Sequence, residues 1–273
     1  MRFDLAAMVR RAKNPRRSQI VLRPIVPTSA QAASLYASAY RPIITAWQSQ
    51  IDRIAATYER SLPVNDAIHD SIFDLDSLFS SIGDELSRIV LAITPALRDW
   101  SVRTEGWSRG KWRGAVLQAT SIDLQTLLSP ADVTDTVDAF MSQNVGLVRS
   151  VSDQTRERLH GIVFRGYQQR TPVREVAKEM AETVGLGRKR ALRIASDQNA
   201  KLAARLDQAR QEQAGIERFK WRHSHKRHPR AQHVRHDGVV YRWDDLPLLD
   251  GKPDRPGDAP FCGCRASAVI DLS

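Results

Sequence analysis

Apolar residues recur three and four apart between positions 29 and 61: Leu35, Tyr36, Tyr40, Ile43, Trp47, Ile51, Ile54, Ala55 and Tyr58. That spacing lines one face of a helix. Pro42 predicts a kink or a new start inside the segment, and Pro63 its end. A second stripe over 66–93 holds Ile68, Ile72, Leu75, Leu78, Phe79, Ile82, Leu86, Ile89 and Val90. Ser129 as a cap, with Pro130 at the first helical position, opens a third region. It carries Val133, Val137, Phe140, Met141, Val145, Val148 and Val151, then Leu159, Ile162, Val163 and Tyr167. Thr171-Pro172 repeats that start and predicts a short helix with Val173, Val176, Ala177 and Met180 inside. Gly185-Leu186-Gly187 is expected to end it, because glycine accepts left-handed C-terminal geometry. A long helix over 188–214 follows, with Leu192, Ala195, Leu202, Leu206 and Ala209 on one face. Such stripes predict core, so Trp47, Trp100, Trp107 and Trp112 receive no cofactor role. No strand alternation stands out before Ile216.

Beyond Gly215 the punctuation changes. Proline falls at 229, 247, 253, 256 and 260, and glycine at 238, 251, 257 and 263. Short runs lie between: 219–222, 239–243 and 266–270, with Asp237-Gly238 as a turn signal before Val239. The expected architecture is mostly α: a helical N-terminal body followed by a small, loop-rich α+β module. Residues 1–27 read as a basic flexible arm, 28–150 as the helical body, 151–215 as a helical region leading into the module, and 216–273 as the module. Pro15, Pro24 and Pro27 make the arm extended or irregular in this scheme.

The 273 residues carry 41 Lys and Arg against 31 Asp and Glu, a formal net charge of +10. The surplus sits in 1–30 and 151–236, whereas 31–150 and the final 37 residues are net acidic. Clustered cations suit a polyanion, most plausibly nucleic acid. Candidate phosphate contacts are Arg10, Arg11, Lys13, Arg16 and Arg17 in the arm, and Arg188, Lys189, Arg190 and Arg193 after the glycine pair. A helix, a glycine turn and an arginine-loaded helix also outline a helix-turn-helix DNA-binding regulator. No apolar run reaches the ~20 residues of a membrane span. Nor does the start have the apolar centre of a secretory signal, which points to synthesis in the cytoplasm.

Five of the seven histidines lie within 223–236: His223, His225, His228, His233 and His236. Cys262-Gly263-Cys264 follows. Imidazole nitrogen and thiolate sulfur are zinc donors, so His223, His233, Cys262 and Cys264 are the candidate ligands for a Zn2+ ion. A second possibility is a metal-dependent nuclease in which histidines work with Asp237 or Asp244. The third is structural: His223, Arg230, His233 and Arg265 would fix turns by hydrogen bonds, and both cysteines would be buried as small apolar groups. Under that third possibility no cofactor is required. No nucleophile-elbow, zinc-protease or phosphate-loop motif occurs.

Several of these residues in order resemble one family. Trp221-Arg222-His223-Ser224, Pro229-Arg230 with His233, Asp237-Gly238, Pro256-Gly257 and Cys262-Gly263-Cys264-Arg265-Ala266 resemble the phage Mu gpF-like domain of minor head proteins. The preceding Arg190-Ala191, Ile194-Ala195, Asp197-Gln198 and Gly215-Ile216 resemble its lead-in helix. The resemblance spans about residues 150–273 and departs at Lys226-Arg227-His228, where relatives often carry an acidic residue. It implies a non-enzymatic protein of the virion interior, assembled in the host cytoplasm. Its partners would be the portal protein and other head proteins, with double-stranded DNA contacted without sequence readout during packaging or ejection. Trp221, His223, Arg230, His233, Pro256, Gly257, Cys262, Cys264 and Arg265 would be its motif residues.

Overall fold

The computed structural model describes residues 2–13, 17–62, 69–227 and 229–273. The expectations attached to Arg16, Pro63, Ile68 and His228 lie outside these. The chain is mostly helical, with short antiparallel strands gathered toward its C-terminal end. It divides into two compact units, neither continuous in sequence. One is Met1–Gln31, Ser101–Phe140 and Ser196–Ser273; the other is Ala32–Trp100 and Met141–Ala195. The divisions fall inside long helices, where no change of composition marks them, so they differ from the sequential blocks expected from the sequence.

In the second unit α3 (Arg41–Ser61), α4 (His69–Ala92) and parts of α6 (Thr134–Gln169) and α7 (Val173–Gln213) bury their apolar stripes. Ile43, Trp47, Ile54, Phe79, Ile82, Val148, Leu159, Val163 and Met180 are inaccessible or nearly so. Pro42 acts as expected. α2 (Ser29–Leu35) passes into a π-helical turn, Tyr36–Tyr40, immediately before α3. A missing proline N–H removes one helical hydrogen bond, and the wider turn absorbs the break. Buried polar tips find partners. Trp47 Nε1 donates to Ser152 Oγ at 3.3 Å, Tyr40 Oη to Asn144 Oδ1 at 3.1 Å, and Tyr58 Oη to the Thr171 carbonyl at 2.6 Å.

The first unit is built on a four-stranded antiparallel sheet in the order β1 (Gln19–Val21), β6 (Arg265–Asp271), β2 (Arg218–Arg222), β3 (Val240–Arg242), with β4 (Leu248–Leu249) and β5 (Lys252–Pro253) paired apart from it. β6 is buried on both faces except at its last residue. Its partners are Ile20 opposite Ile270 on one side, and Phe219 opposite Ala268 and Trp221 opposite Ala266 on the other. One core cluster joins Leu5, Val9, Leu22 and Ile25 to Trp112, Val116, Ile216, Ala268 and Ile270. The N-terminal segment is therefore not an arm. Its residues form α1 (Leu5–Lys13), capped where Asp4 Oδ1 accepts from the Ala7 N–H at 2.8 Å, followed by β1. Three residues are too few to display alternation, so β1 escapes a periodicity search; pairing with β6 makes it a strand.

Arg210 on α7 is 1% exposed. Its guanidinium donates to Glu105 Oε1 at 2.8 Å, to the Ser129 carbonyl at 2.9 Å and to Gln213 Oε1 at 2.8 Å, with Asp132 Oδ2 at 3.3 Å. Ser129 and Asp132 form the capping box that opens the Pro130–Val133 turn, the start expected from Ser129-Pro130. Removing one partner of such a network strands the others, at a cost of roughly 3–5 kcal/mol.

The glycine pair does not end a helix. α7 runs unbroken from Val173 to Gln213 through Gly185 and Gly187, and neither has a positive φ. Without that turn, the helix-turn-helix is excluded. Leu192, expected on the buried face, is 42% exposed and its neighbour Ala191 takes the inside instead, whereas Ala195, Leu202 and Leu206 are buried as expected. A Cβ on Gly185 would meet nothing within 4 Å. Gly185→Ala is therefore expected to stabilise the protein by about 0.5–1 kcal/mol in urea unfolding, by the difference in helix propensity. Destabilisation would mean that the helix turns or opens at this point.

Candidate functional site

The face of α7 formed by Asp197, Ala200, Ala204, Asp207 and Gln211 repeats at three- and four-residue spacing, and the C-terminal module is seated on it. Asp197 Oδ1 accepts from the Phe261 N–H at 2.5 Å, and the Ala200 carbonyl accepts from Arg265 Nη1 at 3.2 Å. Gln211 Oε1 accepts from Trp243 Nε1 at 3.3 Å, and Arg205 on the flank pairs with Asp258 at 2.7 Å. At Gly257 (φ +93°) a Cβ would lie 2.7 Å from Ala204 Cβ and 3.1 Å from Arg265 Nη1. Glycine is the residue that fits there. Pro256 beside it is buried.

Over this seat, β2 and the segment entering β6 bring together a small core of Phe219, Trp221, Cys262, Cys264 and Ala266. Trp221 is fully buried and packs edge-on against His233, with ring centroids 5.4 Å apart. His233 sits on the short helix α8 (Ala231–His236). Its Nδ1 lies 3.4 Å from Cys262 Sγ and 3.7 Å from Cys264 Sγ. The three donor atoms all fall within 4.8 Å of one another, and all three side chains are buried. On the other side of the ring, Nε2 lies 2.9 Å from Asp254 Oδ2, close enough for a charge contact though out of line for a hydrogen bond.

Two local devices aim the thiols. Phe261 adopts a left-handed φ of +57°, a strained geometry for a residue with a side chain. The Cys262 N–H closes that turn onto the Ala259 carbonyl at 2.9 Å. Between the cysteines, a Cβ on Gly263 would fall 2.7 Å from both Ser224 Cβ and Lys226 Cε, so the 224–226 loop lies directly over it. The Cys264 thiol donates to Cys262. That bond holds the Cys262 thiol down to about 5, helped by the backbone N–H groups of Cys264 and Gly257, and with burial pushes Cys264 up. Burial also pushes Asp254 up, against the opposing pull of His233.

The remaining candidates separate. His223 is buried but stands apart from the cluster: its Nδ1 accepts from the His225 N–H at 3.1 Å, and its N–H donates to Asp237 Oδ1 at 2.9 Å. His236 meets the Tyr241 hydroxyl at 2.6 Å, and Asp244 is held by Arg242 at 2.7 Å. Asp237 also lies 3.7 Å from His225 Nε2, so of the two aspartates considered for a nuclease one stays beside histidines and the other is held by an arginine. Arg230 donates to the Pro260 carbonyl at 3.0 Å, and Arg265 to its neighbour's carbonyl, Cys264, at 3.1 Å. Arg10, Arg11 and Arg17 are exposed, as are Arg188, Lys189, Arg190 and Arg193; Arg190 is hydrogen-bonded to Gln154. Lys13 ends α1. Asp254, Asp207 and Gln211 carry no signal in the sequence: Asp254 lies in a proline-rich loop, and the other two read as solvated positions of a polar helix.

Residues 157–267 match the family described as Phage Mu protein F like protein. This part of the chain is similar to that family. The match includes the whole of the α7 face, the His233–Cys262–Cys264 cluster and the first three residues of β6. A curated protein of Haemophilus influenzae (strain ATCC 51907 / DSM 11121 / KW20 / Rd), described only as uncharacterized, is 29% identical over 153 residues. Those residues are 56% of this chain and 34% of the relative, so the chain spans about a third of that protein's length. No solved structure matches. No described helix is long and apolar enough to cross a membrane.

Asp207 gives this region a pH response. It is 3% exposed, and burial raises its carboxyl to about 7, against the lowering effects of Gln211 and Arg265. The folded state then holds a proton that the unfolded chain releases near pH 4. Stability from this group is full below that pH and is lost as pH rises to about 7, by up to a few kcal/mol. Urea unfolding of Asp207→Asn should show a flatter profile between pH 4 and 7 than the parent. An unchanged slope would mean that Asp207 is ionised throughout.

Proposed function

We propose that the protein is a minor head protein of a tailed phage. It acts in head morphogenesis at the portal vertex and contacts packaged DNA without reading its sequence. The observation that carries this is the Mu F-like match over residues 157–267, which contains the motif residues Trp221, His223, Arg230, His233, Pro256, Gly257, Cys262, Cys264 and Arg265. Its role is structural rather than catalytic, and its partners are the portal protein and other head proteins. It is assembled in the host cytoplasm and retained in the virion interior.

The charge distribution supports the DNA contact. α1 buries Leu5 and Val9 and exposes Arg10 and Arg11. Separately, α7 exposes Arg188, Lys189, Arg190 and Arg193 within two turns. Cations on a helix surface suit phosphates, whose affinity falls with salt by about 0.9 log unit per log unit of salt for each phosphate neutralised.

Two measurements test the proposal. The protein should co-purify with capsids assembled in the presence of portal protein and be depleted from portal-deficient capsids; equal incorporation would overturn the portal assignment. Binding to duplex DNA should be indifferent to sequence and steeply salt-dependent. Replacing Arg188, Lys189, Arg190 and Arg193 by alanine should reduce the log–log salt slope by about 2–4. Binding that ignores salt would overturn the electrostatic account.

A further inference from the structure

We propose that His233 Nδ1, Cys262 Sγ and Cys264 Sγ bind one zinc ion, which cross-links α8 to the entrance of β6. The first support is metric. With zinc–sulfur bonds of about 2.3 Å and zinc–nitrogen bonds of about 2.0 Å, a tetrahedron sets nitrogen and sulfur about 3.5 Å apart. The two observed separations, 3.4 and 3.7 Å, bracket that value. An imidazole nitrogen has one in-plane position, either a lone pair or a proton, and cannot make an aligned hydrogen bond to two sulfurs at once. A cation between the three atoms satisfies all of them.

The second support lies on the far side of the ring. Asp254, 6% exposed, faces Nε2 at 2.9 Å. A carboxylate there favours the proton on Nε2 and leaves the Nδ1 lone pair directed at the sulfurs, the arrangement commonly found behind a metal-bound histidine. Donor type then selects the ion: two thiolates and an imidazole suit zinc and exclude magnesium and calcium, which take oxygen. Binding releases the thiol protons to solvent and leaves a fourth coordination position for water. A cross-link is also what this small core calls for, since two of its five buried members are the cysteines themselves.

Cys262, His233 and Asp254 also have the order of a nucleophile, its base and an orienting carboxylate. Burial of Cys262 to 4% exposure and a second thiol on the same nitrogen favour the metal.

The test uses the full chain, purified without chelator. Elemental analysis should find about one zinc per chain. Chelation should lower the melting temperature and expose both thiols to a disulfide reagent, and zinc added back should reverse both changes. Cys262→Ser and Cys264→Ser should lose the ion, and His223→Ala should keep it. Asp254→Asn, which leaves all three donors in place, should weaken zinc affinity roughly 10–100-fold. Folded parent protein that contains no zinc and whose melting temperature ignores added zinc would overturn the proposal. Rapid alkylation of Cys262 alone in that metal-free protein would do so too, by marking the site as a nucleophile. Loss of zinc in His223→Ala would overturn the assigned ligand set. None of these outcomes depends on capsid incorporation, so this proposal and the head-protein assignment can fail separately.

Discussion

β6 is the strand on which the first unit depends. It is paired on both edges, to the N-terminal β1 and to β2, and its even-numbered residues serve two cores. Ala266 meets the cluster around Trp221, whereas Ala268 and Ile270 meet the cluster that holds Leu5, Leu22 and Trp112. Its small side chains let aromatic neighbours close over it, since Phe219 stands opposite Ala268 and Trp221 opposite Ala266. Whatever fixes the entrance to β6 therefore fixes the register of the sheet. The residues at that entrance are Cys262, Gly263 and Cys264.

α7 supplies the second fixed reference. Its final turns carry a buried cation, Arg210, held by residues from α5 (Thr94–Thr120) and the Pro130–Val133 turn. Its end is capped from the N-terminus: the Phe3 N–H donates to the Gln213 carbonyl at 2.9 Å and the Leu5 N–H to the Ala214 carbonyl at 3.1 Å. Gly215, with a φ of +68°, turns the chain away from that contact toward β2. The polar face from Asp197 to Gln211 then holds the module by hydrogen bonds to loop backbone and to Trp243. A small module with few apolar residues is thereby held on the surface of a long helix.

Periodicity carried most of the fold into view. The stripes at 29–61 and 129–167, the described part of that at 66–93, the Ser129-Pro130 start and three of the C-terminal strands (β2, β3 and β6) follow from spacing and capping chemistry, both of them local properties. What escaped was non-local. Glycine at 185 and 187 reads as a stop, but flanking contacts hold the helix through both positions and override a propensity cost of about 1 kcal/mol each. The basic N-terminal residues read as solvated, yet Leu5, Val9 and Leu22 between them are core, and β1 exists only through its partner. At the candidate site, the cysteines and His233 were legible as donor types. That His233 rather than His223 meets them depends on where α8 falls, and Asp254 reaches the ring from a loop with no distinguishing pattern. The family resemblance pointed to the right stretch of chain, and the geometry says which of its residues act together.

The account stands most directly on what lies between one imidazole nitrogen and two sulfurs. Anomalous diffraction from crystals of the untreated full-length protein, collected on either side of the zinc absorption edge, addresses that point. The expected result is a single strong peak about 2.0 Å from His233 Nδ1 and about 2.3 Å from each of Cys262 Sγ and Cys264 Sγ. A well-ordered site with no anomalous signal, its thiols and ring in contact only with one another, would contradict it.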